Sequence, residues 1–262
     1  MTLPLQDKVV YGPVFSRRLG NSLGINILPR EAKFCQSSCN YCQYGWTDSR
    51  AMRFAKLPSS EELLPEIEKA FIQKSRDKVL PDAITFSGNG EPTLHPEFGN
   101  LVREVKQLRD LYFPKVPIGV LSDSSRVHLS EVREALEELD ERIMKLDAGD
   151  PITFQAINHP VVKRDFEAMI QGLSRLSRVT LQSLFMLEPV DNTSQKALHH
   201  WLSALSRIHP VRLQIYTVSR EPADPRVKAV SLKRLEEIAH VACQVTDLSA
   251  ATRVTENSVE LA

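Results

Sequence analysis

Three of the four cysteines lie within eight residues, at Cys35, Cys39 and Cys42, in the spacing C-x-x-x-C-x-x-C. Thiolates on so short a loop can ligate three irons of a cubane iron–sulfur cluster. The loop supplies no fourth thiolate, so one iron keeps an open position that can chelate a small molecule through an amine and a carboxylate. The spacing therefore predicts a [4Fe–4S] cluster with one open iron. Tyr41 places an aromatic side chain directly before the last cysteine.

Two other interpretations of these cysteines stay open at this point. A structural zinc site would need a fourth ligand, either Cys243, far along the chain, or a distant histidine. Alternatively, the three cysteines are unrelated buried residues. Thiolates ligate zinc as well as iron–sulfur clusters, so the residue type alone does not decide between them.

The cysteine loop follows the first of six segments whose patterns predict β-strands. These segments are residues 23–28, 83–86, 116–121, 142–146, 178–185 and 211–218. Amphipathic segments with the period of a helix alternate with them, which favours parallel strands joined by right-handed crossovers. Six units are too few for a complete eight-stranded barrel, so a partial barrel and a doubly wound sheet both remain.

The two ends of the chain lack this alternation. Residues 11–20 contain glycine and proline and are predicted to form a loop. Residues 246–262 are polar and aperiodic, and we expect a disordered C-terminal tail there. No linker or repeat boundary divides the remainder, so residues 1–245 are predicted to form a single domain.

A loop with two glycines and a carboxylate follows the second predicted strand. Ligands of parallel α/β folds bind where the carboxyl ends of the strands meet the following loops. Gly88 and Gly90 permit a close approach of a ligand to the main chain, with Asn89 between them and Glu91 directly after. Taken alone, such a sequence is a turn in most proteins.

Polar residues also follow or end the later strands. Ser122 follows the third strand, among small polar residues that equally suit a helix N-cap. Lys145 and Asp147 end the fourth strand on one face, so they can pair with each other, or Asp147 can bind a ligand. Gln182, in the fifth strand, can bind a ligand or be a hydrogen-bonded core amide.

Three arginines lie near the same predicted edge, Arg17 and Arg18 before the first strand and Arg220 after the sixth. Their guanidinium groups could recognise a phosphate or a carboxylate. Solvated surface arginines are nevertheless the commoner outcome.

The composition gives no indication of a nucleic-acid or membrane partner. Lysine plus arginine (33) balance aspartate plus glutamate (33), so the chain has no basic footprint for phosphates. No apolar run has the length of a membrane span, and the N-terminus lacks the core of a signal peptide. Four cysteines, three of them crowded together, do not form a disulfide framework, so we expect a reducing cytoplasm.

The cysteine loop resembles that of the radical S-adenosylmethionine (radical SAM) superfamily. Gly90, Glu91 and Pro92 resemble the Gly-Gly-Glu motif of these enzymes, with Asn89 in place of a glycine. Residues 12–24, 87–98 and 145–149 look like one branch, the iron–sulfur oxidoreductases related to wyosine-type tRNA-modifying enzymes. The resemblance spans roughly residues 11–222 and favours the α/β partial (βα)6 TIM-like barrel over the doubly wound sheet.

The resemblance implies two cofactors, a [4Fe–4S] cluster on Cys35, Cys39 and Cys42, and SAM on the open iron. An electron donor of the flavodoxin or ferredoxin type would reduce the cluster, SAM would be cleaved, and a 5′-deoxyadenosyl radical would abstract hydrogen from a substrate. The residues expected to bind SAM are Tyr41, Gly88, Asn89, Gly90, Glu91, Ser122, Asp147 and Gln182. Glu91 would pair with the SAM ammonium. No residue is assigned a catalytic proton transfer.

The resemblance does not extend to the substrate. Wyosine-forming relatives carry a second cluster, whereas this chain has only Cys243 beyond the first loop. A wyosine-type role on tRNA is therefore an alternative, and a small molecule or a protein side chain is at least as suitable a substrate. A non-catalytic cluster- or zinc-binding module is a further alternative. The last alternative is a radical SAM protein that binds the cluster and SAM but no longer catalyses a reaction. Its support is that Ser122-Asp123-Ser124-Ser125 departs from the Thr-Asn-Gly of many relatives.

Overall fold

A computed structural model describes residues 2–16, 18–249 and 251–262. They form one sheet with helices between its parallel strands. In these residues nine strands pair in the order β1-β2-β3-β4-β5-β6-β7-β9-β8. The strands are β1 (Val10–Ser16), β2 (Gly20–Ile25), β3 (Ala83–Phe86), β4 (Ile118–Ser122), β5 (Glu141–Lys145), β6 (Thr180–Phe185), β7 (Arg212–Thr217), β8 (Ala251–Thr255) and β9 (Ser258–Leu261).

The strands from β2 to β7 are the six predicted ones, and each is parallel to the next. They follow one another in chain order without the reversal that defines a doubly wound sheet. The prediction of a partial (βα)6 TIM-like barrel is therefore confirmed. The carboxyl ends of all six strands meet at one edge, where the predicted site residues were expected.

The helices are α1 (Ser49–Phe54), α2 (Ser60–Arg76), α3 (Phe98–Tyr112), α4 (Ser130–Glu137), α5 (Pro151–Asn158), α6 (Phe166–Ser174), α7 (Gln195–Ile208) and α8 (Leu232–Cys243). All of them except α1 and α5 carry the apolar stripes that the sequence predicted, and these stripes are buried. Helix α2 shows why they begin where they do: Ser59 caps its first turn and forms a reciprocal capping box with Glu62. Its Leu63, Ile67 and Phe71 are buried in one apolar core with residues of the strands.

Both edges of the sheet differ from the prediction. Residues 11–20, predicted to be a loop, include β1, which pairs antiparallel with β2 and contains an irregularity between Tyr11 and Val14. Proline is tolerated there because β1 is an edge strand.

Helix α5 was also missed, and it places Asn158 beside the cysteine loop.

The C-terminal tail, predicted to be disordered over residues 246–262, contains two strands, which corrects that expectation for residues 251–255 and 258–261. Strand β9 pairs antiparallel with β7, and β8 pairs with β9. Val259 and Leu261 are buried in the same core as the parallel strands. Buried and partly exposed residues alternate over only four positions in β9. Among polar neighbours, so short an alternation is not recognisable as a strand from the sequence. Within the described residues, no helix has the length and apolar character that crossing a membrane would require.

Candidate functional site

The cysteine loop is attached to the glycine loop through the main chain. Phe34 donates its N–H to the carbonyl of Asn89 at 2.7 Å, and Glu91 donates its N–H to the carbonyl of Phe34 at 3.0 Å. Gly90 faces Phe34 in this bridge with a positive φ of 145°. The two loops that follow β2 and β3 therefore form one unit.

The three cysteines of the loop are free thiols. Cys35 and Cys39 are buried, and Cys42 is half-buried. Burial raises the pKa of Cys35 well above its usual value, and it raises the pKa of Cys39 to about 11. Asn158 donates to the sulfur of Cys39 at 3.3 Å, and the Ser37 N–H donates to that of Cys35 at 3.4 Å.

Lys33 brings a positive charge to the loop. Its ammonium group donates to the carbonyl of Gly45 at 2.7 Å. Burial lowers the pKa of Lys33, but the charges of Cys42, Cys35 and Cys39 outweigh that effect, so the net pKa is raised. A charged lysine beside three sulfurs favours the thiolates that ligate a metal cluster.

The zinc interpretation finds no support in the described part of the chain. No three His, Cys, Asp or Glu side chains there are grouped closely enough to hold one metal ion. The remaining cysteine, Cys243, donates to the carbonyl of Ser249 at the end of α8.

The carboxylate of Glu91 is buried, and both of its oxygens accept hydrogen bonds from the protein. One oxygen accepts from the N–H and hydroxyl of Thr93, at 3.0 and 2.6 Å, and from the Ser122 hydroxyl at 3.0 Å. The other accepts from the N–H of Asp123. Burial, and then the charge of Asp123, raises the pKa of Glu91 to about 8. Glu91 and Ser122, both predicted to bind the cofactor, therefore bind each other and join the loops after β3 and β4.

Asn89 and Gly88 also have structural contacts. The Asn89 amide bonds to the main chain of Gln6, at 2.7 and 2.9 Å, and to the carbonyl of Pro29 at 2.9 Å. A β-carbon on Gly88 would lie 2.7 Å from the side-chain oxygen of Asn26. This part of the predicted site holds the N-terminal segment against the loop.

Asp147 is the centre of a buried network inside the barrel mouth. Lys145 pairs with it at 2.8 Å, and the Leu184 N–H donates to the same oxygen at 2.8 Å. The second oxygen accepts from the hydroxyl of Tyr41 and from Asn158 at 2.9 Å. The ion pair that the sequence offered as one of two roles for Asp147 is formed. Tyr41 connects the cysteine loop to it.

The network continues across β6 and β7. Lys145 donates to the hydroxyl of Tyr216 at 2.6 Å, and that hydroxyl donates to Gln182 at 3.3 Å. Gln182 in turn donates to Gln214 at 2.9 Å. This contact corresponds to the hydrogen-bonded core amide, one of the two roles that the sequence offered for Gln182. Burial lowers the pKa of Lys145, but Asp147 and Tyr216 outweigh it and the pKa is raised.

Arg18 and Arg220, two of the three arginines predicted near this edge, contact different residues. The guanidinium of Arg18 lies over the ring of Tyr216, 4.6 Å from its centroid. Arg220 donates to the side chain of Gln43, the residue after Cys42, at 2.6 Å and is exposed. Arg17 lies outside the described residues.

Two residues at the site were not predicted from the sequence. Asp123 accepts from the Ser37 hydroxyl at 2.5 Å, and the same oxygen lies 3.6 Å from the sulfur of Cys35. Arg164 donates to that oxygen at 3.2 Å. Asp123 follows a predicted strand and could have been chosen on that basis. Arg164 lies in an aperiodic segment before α6, where no local pattern marks it.

Several buried polar atoms around the cysteine loop have no partner in the described residues. They include both amide atoms of Asn40, Oδ1 of Asn158, and Nε and Nη1 of Arg164. Asn40 belongs to the loop, Asn158 touches Cys39, and Arg164 is joined to Cys35 through Asp123. Folded proteins leave few such groups unsatisfied, and a group of them marks a place for a polar ligand. The loop therefore fits a metal cluster with a polar molecule beside it.

Comparison with known proteins gives a family for this arrangement. A family model described as the radical SAM superfamily matches residues 32–192. A protein named GTPase Obg from Brachyspira hyodysenteriae is 33% identical over 237 residues, which are 89% of this chain and 33% of that protein. The chain thus spans a third of that relative's length. The UPF0026 protein MJ1312 of Methanocaldococcus jannaschii is 29% identical over 234 residues, 88% of this chain and 70% of the relative.

A solved structure shows the same fold. The structure of TYW1 with a lysine-pyruvate adduct bound matches with a TM-score of 0.62, covering 92% of this chain and 79% of that one. The sequences are 14% identical, so the likeness concerns the fold.

Proposed function

Because the chain belongs to the radical SAM superfamily, we propose that it is an enzyme that removes a hydrogen atom from its substrate with the cofactors of that family, a [4Fe–4S] cluster and SAM. When bound, these cofactors supply a one-electron cleavage of SAM to a 5′-deoxyadenosyl radical. The observation that carries the proposal is the set of three free thiols at the mouth of the barrel, surrounded by buried polar atoms without partners.

In this proposal Cys35, Cys39 and Cys42 hold the cluster. Ser37 and Asn158 donate hydrogen bonds to two of the sulfurs, and such bonds stabilise thiolates. The charge of Lys33 acts in the same direction. The burial of Cys35 and Cys39 keeps water away from the ligating sulfurs.

The SAM-binding residues stay a prediction, and the geometry divides them by role. Gly88 and Gly90 have positive φ values and remain the residues proposed to let a ligand approach the main chain. The side chains of Glu91, Ser122, Asn89 and Asp147 are already hydrogen-bonded within the chain. We propose that these four act by holding the loops in place.

The proposal includes an electron donor of the flavodoxin or ferredoxin type and a reducing cytoplasm. The site needs free thiols, which the cytoplasm maintains. The chemistry is then of the oxidoreductase or lyase type. A wyosine-type tRNA reaction remains the alternative for the substrate, without a described feature that favours it.

The test is anaerobic reconstitution of the full chain with iron and sulfide, followed by SAM and dithionite. We expect a brown protein that forms 5′-deoxyadenosine slowly without substrate. Cys39→Ala is expected to lose the cluster, whereas Cys243→Ala, which removes the cysteine outside the loop, keeps it. A colourless parent protein loaded with zinc, or equal iron content in both variants, would show that the proposal is wrong.

A further inference from the structure

An ion pair beside Cys35 has no role in the function proposed so far. Arg164 donates to Oδ2 of Asp123 at 3.2 Å, and the same oxygen lies 3.6 Å from the sulfur of Cys35. The Arg164 and Asp123 side chains are 7% and 14% exposed. A single carboxylate oxygen therefore separates a buried guanidinium from a proposed cluster ligand.

Arg164 has hydrogen-bonding capacity that the protein does not use. Its Nε and Nη1 are buried without a partner in the described residues, and only Nη2 bonds to Asp123. The ring of Phe154 lies 5.9 Å from the guanidinium carbon on one side. Buried N–H groups without partners are costly, and a bound anion would remove that cost. The arrangement therefore points to a carboxylate or similar anion as the missing partner.

Asp123 keeps room for a donor. Within the described residues, Oδ1 accepts from the Ser125 N–H alone, at 2.8 Å, and a carboxylate oxygen has two lone pairs. Oδ2 accepts from Arg164 and from the Ser37 hydroxyl, and it lies 3.6 Å from the sulfur of Cys35. Asp123 can therefore take a further donor at Oδ1.

We propose that Asp123 and Arg164 together bind the amino-acid end of SAM, with the N–H groups of its amine on Asp123 and its carboxylate on Arg164. The inference rests on the proposed function. The amine and carboxylate that chelate the open iron must lie beside the cysteines, and this ion pair is there. It offers an acceptor for the amine and donors for the carboxylate side by side. The resemblance assigned the SAM ammonium to Glu91, whereas this proposal assigns the amine to Asp123.

The experiment compares two ligands on the reconstituted full chain. SAM and decarboxylated SAM differ only in the carboxylate that Arg164 would bind. Their dissociation constants are measured from the change that each ligand causes in the EPR spectrum of the reduced cluster. We expect Arg164→Gln to raise the dissociation constant of SAM by about tenfold or more and to change that of decarboxylated SAM by no more than about twofold. Lys163→Gln removes the same charge from the exposed neighbouring residue, and it should change neither constant.

A second variant tests the other half of the pair. Asp123→Asn retains the shape of the side chain. It should weaken the binding of SAM but not the binding of a SAM analogue that lacks the amine. Iron and sulfide content is measured in every variant, and Arg164→Lys replaces Arg164→Gln if the latter does not take up iron. An unchanged ratio of the SAM and decarboxylated SAM constants in the Arg164 variant would overturn the inference. Failure of the parent protein to bind a cluster or SAM would instead overturn the proposed function.

Discussion

Gly90 lies so close to the main chain of Phe34 that a β-carbon at position 90 would stand 2.0 Å from the Phe34 carbonyl oxygen. Its φ of 145° belongs to a region that residues with side chains rarely adopt. This is the contact through which the loop after β3 holds the cysteine loop. A glycine is therefore needed at position 90 by the protein's own backbone, whether or not a ligand also approaches it.

We expect Gly90→Ala to lower the free energy of unfolding by about 2 kcal/mol or more, from backbone strain and the clash with Phe34. Iron uptake on reconstitution should fall with it. The measurements are urea unfolding of the reduced apoprotein and iron per chain. Gly99→Ala is the control: its β-carbon would meet Ala135 at an ordinary 3.5 Å in helix α3, so it should be neutral or stabilising. Equal effects of the two changes would contradict this account.

The buried carboxyl of Glu91 makes the stability of the apoprotein depend on pH. Its pKa is raised to about 8, chiefly by burial and next by Asp123. Above the ordinary glutamate pKa of 4.5, the folded state therefore keeps a proton that the unfolded state releases. This contribution is complete below that value and is lost as pH rises toward about 8, with a slope of at most about 1.4 kcal/mol per pH unit.

Glu91→Gln should therefore reduce the fall in stability between about pH 5.5 and about pH 7.5. Glutamine keeps the acceptor for Thr93 and Ser122 but does not titrate in this range. Urea midpoints of parent and variant, measured at several pH values, give the comparison. Superimposable pH profiles for the two proteins would argue against a raised pKa at Glu91.

The Lys145–Asp147 pair should show strong energetic coupling. Asp147 has a side chain with no exposed surface, so Lys145→Met leaves a buried charge without its partner and should cost about 3–5 kcal/mol. Tyr41 and Asn158 still donate to the carboxylate in that variant. In the double variant with Asp147→Asn, the cost should fall short of the sum of the single costs by at least about 1 kcal/mol. Additive costs in urea unfolding would show that the two side chains act independently.

The C-terminal hairpin should contribute to the stability of the whole fold. Leu261 is buried in the common core from strand β9, so Leu261→Ala should cost about 2–5 kcal/mol. Val254, on the neighbouring strand β8, is 47% exposed, and Val254→Ala should change stability by no more than about 0.5 kcal/mol. Thermal unfolding monitored by circular dichroism gives both values. A negligible effect of Leu261→Ala would mean that the tail does not belong to the cooperative unit.

The sequence by itself determined the alternation of strands and helices and the place of the cysteine loop. Both are local signals: the stripes of α2 and α3 repeat every three to four residues, and Cys35, Cys39 and Cys42 lie on one short segment. The order of the strands followed from the rule that parallel neighbours are joined by helical crossovers. The antiparallel strands β1 and β9, which flank the six parallel strands, were missed because what holds them in place is pairing with β2 and β7.

Only the tertiary structure decided which polar residues at the barrel mouth are already bonded and which have capacity left. Glu91 and Asp147 looked like ligand carboxylates in the sequence, yet their partners come from other strands and loops. Arg164 had no local signal, because its partner Asp123 is 41 residues away. Such contacts depend on burial and on the packing of distant segments, which set the electrostatics of a site and leave no periodic trace along the chain.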